Sequence, residues 1–138
     1  MKLKIIICLD DNNGMLFNNR RQSRDRLLTA DIIENLKDEK LNIFEFSNLL
    51  FAEYPEKICI CTELTKGEAH FIENVDLKPF EDSIRELTVY RWNRAYPADF
   101  TCDVDFGKFT LVCETEFAGS SHEKITKQIY IKAGVLNG

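Results

Sequence analysis

The chain has 138 residues, of which 44% are hydrophobic and 30% are charged, the balance of an ordinary globular protein. This length predicts one domain over residues 1–138, large enough to bury about two-thirds of its unfolded surface without disulfides or metals. The net charge of −5, from 18 Lys and Arg against 23 Asp and Glu, argues against a protein that binds nucleic acid over its whole surface.

The cysteines predict free thiols in a reduced environment. The five are Cys8, Cys59, Cys61, Cys102 and Cys113, and all but Cys102 lie within apolar, strand-like runs. No Cys-x-x-Cys is present, so we expect buried thiols that behave as small hydrophobes, and no metal site. The chain shows no signal peptide and no apolar run of the roughly 20 residues that span a bilayer. We therefore expect a cytoplasmic protein without a membrane partner.

The first half of the chain predicts a strand, a turn and a helix. Leu3–Leu9 is an almost unbroken apolar run, typical of a central strand buried on both faces, and Asp10–Gly14 is a strong turn signal. An irregular segment over Met15–Asn19 and a polar, basic segment over Arg20–Asp25 follow. The apolar positions that then recur at helical spacing are Leu28, Ile32 and Leu36. They predict a helix that ends near Lys37 and begins near Ser23 or Thr29, both of which are acceptable N-caps.

The second half of the chain is richer in strands. The further predicted elements are a strand over Asn42–Phe46, a short helix capped by Ser47 and stopped by Pro55, strands over Lys57–Cys61 and His70–Val75, and a short helix over Pro79–Arg85. The run Leu87–Tyr130 then predicts strand, loop, strand, loop, strand. This order predicts an α/β domain with a mixed, mostly parallel sheet and an antiparallel C-terminal hairpin.

Both ends of the chain resemble dihydrofolate reductase. The segments that match the end of that family are Tyr96–Phe106, Phe109–Phe117, Ala118–Lys124 and Thr126–Ile131. The opening "KIIICLDDNNGM" is similar to the family's "ISLIAAVDxNxGIG", and Leu28–Ile32 is similar to its Leu-Pro-x-Asp-Leu. The resemblance implies a dihydrofolate reductase-like fold. It also implies that Asp31 matches the family's catalytic carboxylate, which opens the first helix and is buried against the pterin.

Three departures from the family affect its cofactor and substrate sites. The Pro-Trp of the loop that closes over substrate is replaced by the longer and more basic "FNNRRQSRDR". The Gly-Arg-x-Thr at the cofactor phosphate is replaced by Phe44–Ser47. The Gly-Gly pair at the cofactor pyrophosphate has no equivalent, since no two glycines are adjacent anywhere in the chain. The resemblance therefore implies a reductase-like fold that uses no nicotinamide cofactor.

A reductase-like topology brings three polar segments toward one rim of the sheet. Their members are Arg20, Arg21, Ser23, Arg24 and Asp25, then Arg91, Asn93 and Arg94, and then Ser120, Ser121, His122, Glu123 and Lys124. Guanidinium groups beside hydroxyls and a helix N-terminus favour an anionic ligand, although the same charges also suit a solvated surface. Strand alternation places Tyr90 and Trp92 on one face, opposite Arg91, where an aromatic ring can stack on a ligand.

These residues support three hypotheses about function. The first is a protein that binds a small anionic ligand, pterin-like or nucleotide-like, without reductase activity. The second is an enzyme that needs no cofactor and acts on a nucleotide-like substrate, with Asp31 and His122 as its acid–base pair. The third is an interaction module that docks the basic Arg20–Arg26 loop on an acidic protein or RNA. A serine hydrolase built within the last loop has little support, because neighbouring residues on one loop rarely reach one another and no Gly-x-Ser-x-Gly is present.

Several segments also resemble small proteins of anaerobic gut bacteria, some of which carry the name ribonuclease Z. These segments are "RRQSRDR" and "YRWNR", with "YPADF" and "FAGSSHEKIT" after them. Ribonuclease Z needs a His-x-His-x-Asp-His cluster that binds two zinc ions. The chain contains only His70 and His122, far apart in sequence, so that zinc chemistry is excluded.

Overall fold

The computed structural model describes residues 3–64 and 68–133. Within these residues the chain forms one α-helix, ten strands and four 3-10 helices. The strands are β1 (Leu3–Leu9), β2 (Gly14–Phe17), β3 (Arg20–Arg21), β4 (Leu41–Ile43), β5 (Ile58–Ile60), β6 (Ala69–Phe71), β7 (Ile84–Arg91), β8 (Phe100–Thr101), β9 (Phe109–Phe117) and β10 (Ile125–Lys132). The α-helix, α1, spans Arg26–Glu34, and the 3-10 helices span Glu45–Phe51, Pro55–Lys57, Lys78–Ser83 and Phe106–Lys108.

Seven of the strands form one mixed sheet in the order β5-β4-β6-β1-β7-β10-β9. The first five strands of this order, from β5 to β7, are all parallel to one another. β10 is antiparallel to both of its neighbours, β7 and β9. The α/β class, the mostly parallel sheet and the antiparallel C-terminal hairpin are thus confirmed. A second, small antiparallel sheet, β3-β2-β8, covers the loop that follows β1.

The core lies on both faces of the large sheet. Alternate residues of β1, from Leu3 to Leu9, are buried in one apolar cluster, while Ile6 and Cys8 face the other cluster. Helix α1 covers this second face with the apolar positions that recur at helical spacing. The first face is covered by the Lys78–Ser83 and Phe106–Lys108 segments and by β2 rather than by an α-helix. The site described below lies where α1 begins, beside the ends of β1 and β7.

Several predicted boundaries are wrong, and most errors concern short elements. Neither Ser23 nor Thr29 caps α1, because Asp25 takes that position and its carboxylate accepts hydrogen bonds from the amides of Leu27 and Leu28. The segment Met15–Asn19 is not irregular, since most of it forms β2. The three predicted strands of the middle third shrink to three residues each, and the short helices are 3-10 helices. Short local patterns carry little free energy, so tertiary contacts set their limits.

The thiols and the outer hairpin strand are more exposed than expected. Cys59 and Cys113 are exposed, so the prediction of buried thiols is wrong for both of them. The other three cysteines are half-buried. β9 is exposed over most of its length because it forms an edge of the sheet. No helix in the described part of the chain is long and apolar enough to cross a membrane.

Candidate functional site

The site is organised around the carboxylate of Asp25, which is only 3% exposed. One carboxylate oxygen accepts from the helix amides already named and from the amide and hydroxyl of Ser120. The other oxygen accepts from the amide and hydroxyl of Ser121 and lies 2.9 Å from His122 Nδ1. Burial by itself raises the pKa of Asp25, but these hydrogen bonds outweigh burial and hold the pKa well below its usual range. Asp25 is therefore a buried anion that joins the start of α1 to the last loop of the chain.

His122 lies between this carboxylate and a serine hydroxyl. Its Nδ1 contacts Asp25, and its Nε2 lies 2.8 Å from the hydroxyl oxygen of Ser23. The imidazole ring stacks on Trp92, with 4.6 Å between the ring centroids and an interplanar angle of 29°. The Tyr96 hydroxyl lies 3.5 Å from the same Nε2. The ring is 8% exposed and is held on both nitrogens and on one face, so its orientation is fixed.

Local sequence explains how the last loop reaches Asp25. The turn is closed by a hydrogen bond from the Gly119 amide to the His122 carbonyl. A Cβ atom at position 119 would collide with the Asp25 carboxylate and with Ile125, so only glycine permits this approach. Two serines then follow, and they supply both amide and hydroxyl donors to a single carboxylate.

A cavity opens beside Ser23, and we call it the Ser23 cavity. A water-sized sphere can reach only about 20 Å³ inside it, so its closed part has room for about one water molecule. Its apolar lining consists of Cys8, Met15, Leu28, Leu50, Phe71, Ile72 and Trp92. Its polar lining consists of Arg21, Gln22, Ser23, Arg24, Asp25, Thr29 and Glu73. Its mixture of apolar walls and convergent polar groups is typical of a small-molecule site, but its closed volume is far below the roughly 300 Å³ at which such sites begin, so a ligand would lie at the mouth.

One arginine of the cavity is fully engaged within the protein. Arg21 forms a bidentate ion pair with Glu73, with both nitrogen–oxygen distances at 2.7 Å. The hydroxyl of Ser47 donates to the same Glu73 carboxylate. Arg21 therefore forms part of the wall, and it has no charge to spare for a ligand.

Three other arginines surround the cavity mouth without partners. Arg20, Arg24 and Arg26 are exposed, and none has an ion pair or side-chain hydrogen bond within residues 3–64 and 68–133. Arg24 lines the Ser23 cavity and also the two hollows on either side of it, one with Arg26 and one with Arg20. This part of the rim carries concentrated and uncompensated positive charge on a protein whose net charge is −5.

The other predicted ligand-binding residues lie around this site or beyond it. Arg91 faces away from the cavity: it donates to Asn13 and Gln128 and lies over the ring of Phe106. Asn93 holds the backbone of Lys124 and the hydroxyl of Thr126, which fastens the start of β10. The Arg94 carbonyl accepts from the Asp11 amide, and the Lys124 ammonium lies 3.8 Å from Glu116. The first and third predicted segments meet around Asp25 and His122. From the second segment, the Asn93 side chain bonds the third segment at Lys124, while Arg91 points elsewhere; Trp92, next to it, stacks on His122.

Asp31 is not joined to His122 by any hydrogen bond or ion pair in the described structure. It accepts from the Tyr90 hydroxyl at 2.5 Å and from the Lys127 ammonium at 2.9 Å. Burial, and then the hydrogen bond to Asp31, raises the pKa of Tyr90 well above its usual range. The two attributes that the resemblance assigned to Asp31, burial and a place at the start of the first helix, belong instead to Asp25.

The sequence placed Ser23 and Asp25 in the polar rim, but it did not identify Asp25 as the helix cap or pair either residue with His122. An Asp directly before the helical run was a usable signal, because Asp is among the best N-cap residues. No local signal could have paired Ser23 with His122, since 99 positions separate them. Among the residues described, no three His, Cys, Asp or Glu side chains lie close enough together to hold a metal ion.

Comparison with known proteins gives a fold and no family. A scan against protein-family models and a search of the curated proteins each return no match. A search of solved structures matches dihydrofolate reductase from Enterococcus faecalis, in a structure complexed with NADP(H) and RAB-propyl. The match covers 95% of this chain and 96% of that chain, with a TM-score of 0.69 and 9% sequence identity. The fold is dihydrofolate reductase-like. At this identity the likeness establishes the fold alone.

Phe44–Ser47, the segment that the sequence comparison places at the family's cofactor-phosphate motif, holds an acidic side chain and a buried hydroxyl. In this dihydrofolate reductase-like fold, the segment from Phe44 runs into the Glu45–Phe51 3-10 helix and brings an acidic side chain, Glu45, rather than an arginine. The Ser47 hydroxyl is buried and already donates to the Glu73 carboxylate. The segment itself therefore offers one carboxylate, Glu45, and no cation to an anionic group.

Proposed function

We propose that this protein binds a small anionic ligand, pterin-like or nucleotide-like, in the Ser23 cavity and does not reduce it with NADPH. The observation that carries the proposal is the Arg24 guanidinium, which lies unpaired at the mouth of an apolar cavity within the described structure. Because Arg side chains form strong hydrogen bonds with carboxylates and phosphates, Arg24 is suited to hold the charged end of the ligand.

The cavity lining supports a ligand with only a small apolar part. Phe71, Trp92 and Met15 line the cavity, but they are only 1–6% exposed, so they form its floor and offer little contact area. Arg20 and Arg26 flank Arg24 and add long-range attraction, which falls as ionic strength rises. The ligand is thus expected to place its charge at the rim and only a small apolar part at the cavity mouth.

The absence of reductase activity is a separate part of the proposal. It is supported by the lack of adjacent glycines and by the acidic Phe44–Ser47 segment at the family's cofactor-phosphate position. We expect no oxidation of NADPH above background with dihydrofolate. Measurable turnover in that assay would contradict this part and would leave the binding proposal to its own test.

The binding test is a thermal-shift screen followed by fluorescence titration. The panel contains dihydrofolate, NADPH, mononucleotides, cyclic and linear dinucleotides, and inorganic phosphate. A ligand at about 100 times its Kd adds roughly 2.7 kcal/mol to the free energy of unfolding, which raises Tm by several degrees. Trp92 is the only tryptophan and lines the cavity, so its fluorescence reports binding directly.

A matched pair of arginine variants assigns the binding to the cavity. Arg24→Gln is expected to weaken the affinity about 10-fold to 100-fold, as for loss of one charge-assisted hydrogen bond. Arg85→Gln removes an exposed arginine from the opposite end of β7 and is expected to leave the affinity unchanged. Equal losses in both variants would reveal a general charge effect, and no shift with any ligand would contradict the proposal.

A further inference from the structure

Three side chains beside the Ser23 cavity stand in the order of a nucleophile, a base and an orienting acid. The Ser23 hydroxyl oxygen is 2.8 Å from His122 Nε2, and His122 Nδ1 is 2.9 Å from a carboxylate oxygen of Asp25. The serine and the aspartate come from the loop between β3 and α1, and the histidine comes from the loop between β9 and β10. Two connected hydrogen bonds of this length are the geometric signature of an activated serine.

The surroundings of Asp25 decide which nitrogen of His122 carries the proton. An ionised carboxylate only accepts hydrogen bonds, so Nδ1 must be the donor in the contact with Asp25. In the neutral imidazole, Nε2 then has a free lone pair, and this lone pair faces the Ser23 hydroxyl. His122 can therefore accept the proton of Ser23, and Asp25 stabilises the imidazolium that forms.

Asp25 and His122 are held by more hydrogen bonds than an N-cap residue needs to hold the first turn of a helix. Asp25 accepts from four backbone amides and two serine hydroxyls in addition to His122. The Trp92 ring holds the plane of His122 by stacking on it. Ser23 itself is half-buried and lines both the cavity and the neighbouring open hollow.

Donors for a developing negative charge lie directly beside Ser23. The amide of Arg24, the residue after the serine, has no hydrogen-bond partner in the described chain, and its guanidinium has none either. In serine hydrolases with a nucleophile elbow, the amide that follows the nucleophile is one donor to the oxyanion. Arg24 thus has two unpaired donor groups next to Ser23 in sequence, which an oxyanion could use if it formed there.

We propose that Ser23, His122 and Asp25 form a hydrolytic centre that cleaves small carboxylic esters. The Ser23 oxygen attacks the ester carbonyl carbon while His122 Nε2 takes the serine proton. The bond to the alcohol oxygen breaks, and His122 returns the proton to the leaving alcohol. Water then attacks the acyl-serine bond with His122 as base, which releases a carboxylic acid and restores the serine. The net reaction is ester and water to acid and alcohol.

The cavity indicates the class of ester. The closed part of the cavity is too small for more than about one water molecule, but Ser23 also lines the open hollow with Arg20 and Arg24, so only a small acyl group held at the mouth suits the site. An anionic group on the alcohol portion would meet the unpaired arginines at the rim. The inference goes beyond the proposed binding function and does not depend on it, because the chemistry rests on the three side chains.

The first experiment is covalent labelling with a fluorophosphonate, which traps activated serines. The serine oxygen forms a bond to phosphorus, fluoride leaves, and the serine proton is lost to the histidine. We expect intact-mass measurement to show one added phosphonyl group, and peptide mapping to place it on Ser23. The probe carries no anionic group, so failure of the anionic-ligand proposal would not affect this result.

The second experiment measures hydrolysis of p-nitrophenyl acetate and butyrate. Ser23→Ala and His122→Gln are each expected to lower kcat/KM at least about 1000-fold, as for loss of a member of a catalytic triad. Ser83→Ala removes a serine near the opposite end of the sheet and is expected to leave the rate unchanged. Circular dichroism and thermal unfolding of each variant distinguish loss of chemistry from loss of fold.

Two outcomes would overturn the proposal. One is an unlabelled wild-type protein with ester hydrolysis no faster than free imidazole, which would make the three side chains a structural clasp on α1. The other is labelling that persists in Ser23→Ala, or that maps to Ser120 or Ser121, which would assign the reactivity to another residue.

Discussion

Two aspartates, one that caps α1 and one within it, show how differently one side chain can be used in the same region. Asp25 precedes the helix and is 3% exposed, with donors on both oxygens and His122 among them. Asp31 lies on the helix with its side chain 30% exposed, and it pairs with Lys127 and the Tyr90 hydroxyl. One carboxylate orients a chain of groups that ends at a cavity, whereas the other neutralises a lysine.

The difference comes from what each carboxylate contacts. The donors to Asp25 are mostly amides and hydroxyls, which satisfy its oxygens without cancelling its charge, so the charge remains available to an imidazolium. The donor to Asp31 includes an ammonium, which cancels the charge locally. The comparison predicts a large structural and functional role for the first aspartate and a small structural one for the second.

Asp25→Ala is expected to produce the largest effect. It removes the helix cap and leaves several amides and hydroxyls without an acceptor, so the free energy of unfolding should fall by roughly 4 kcal/mol. Tm should fall by about 10 °C or more. Urea unfolding followed by circular dichroism measures this. Asp25→Asn keeps the shape and one carbonyl acceptor and should lose about half as much; an equal loss in both variants would show that charge rather than hydrogen bonding dominates.

Acid should weaken the fold through Asp25 together with a second buried carboxylate, Glu81. The hydrogen bond from Lys108, and then that from the Asp105 amide, lowers the pKa of Glu81 from its ordinary value of 4.5 to about 2. Both carboxylates have lower pKa values in the folded state, so the unfolded state binds more protons as the pH falls. Their stabilisation is complete above about pH 4.5 and is lost toward pH 2.

Urea unfolding between pH 3 and pH 7 tests this dependence. The free energy of unfolding should decrease as the pH is lowered through this range, and Glu81→Gln should reduce the slope below pH 4.5. An unchanged slope in Glu81→Gln would show that other carboxylates control the acid sensitivity. Glu81 does not line the Ser23 cavity, and the groups that lower its pKa do not line it either. The Glu81→Gln variant should therefore retain fluorophosphonate labelling.

Asp31→Ala is expected to have the smallest effect. Loss of a partly exposed ion pair and one hydrogen bond should cost about 1–2 kcal/mol, and labelling of Ser23 should be unchanged. Glu34→Ala, at an exposed position on the same helix, is the control and should stay within about 0.5 kcal/mol of the wild type. A loss as large as that of Asp25→Ala, or loss of labelling, would contradict the comparison between the two aspartates.

The strong periodic elements of this chain were predictable. β1 spans the residues that its apolar run predicts, and the three long strands of the C-terminal half appear in the predicted order. Tyr90 and Trp92 share an apolar cluster, as alternation along β7 predicts. These elements were predictable because long runs of apolar or alternating residues bury enough surface to override weak local preferences.

The site was predictable only in its parts. His122, Trp92, Ser120 and Ser121 were among the predicted residues, and the structure brings them together around Asp25. The Leu-x-x-Asp-Ile pattern pointed to Asp31, whereas the buried carboxylate before the helix is Asp25, six positions earlier; the capping signal there was not used. Arg91 was expected at the rim, but alternation turns its side chain to the other face, toward Phe106.

The sequence by itself determined the α/β class, the central strand, the C-terminal hairpin and the residues from which a polar site is drawn. Those features follow from hydrophobic periodicity and residue chemistry, which are local along the chain. Only the tertiary structure decided that Ser23, Asp25 and His122 meet and that Arg24 remains unpaired beside them. Their contacts join positions nearly one hundred residues apart, and a hydrogen bond needs its atoms placed to within a few tenths of an ångström. No local pattern carries that information, because it depends on the packing of every strand in between.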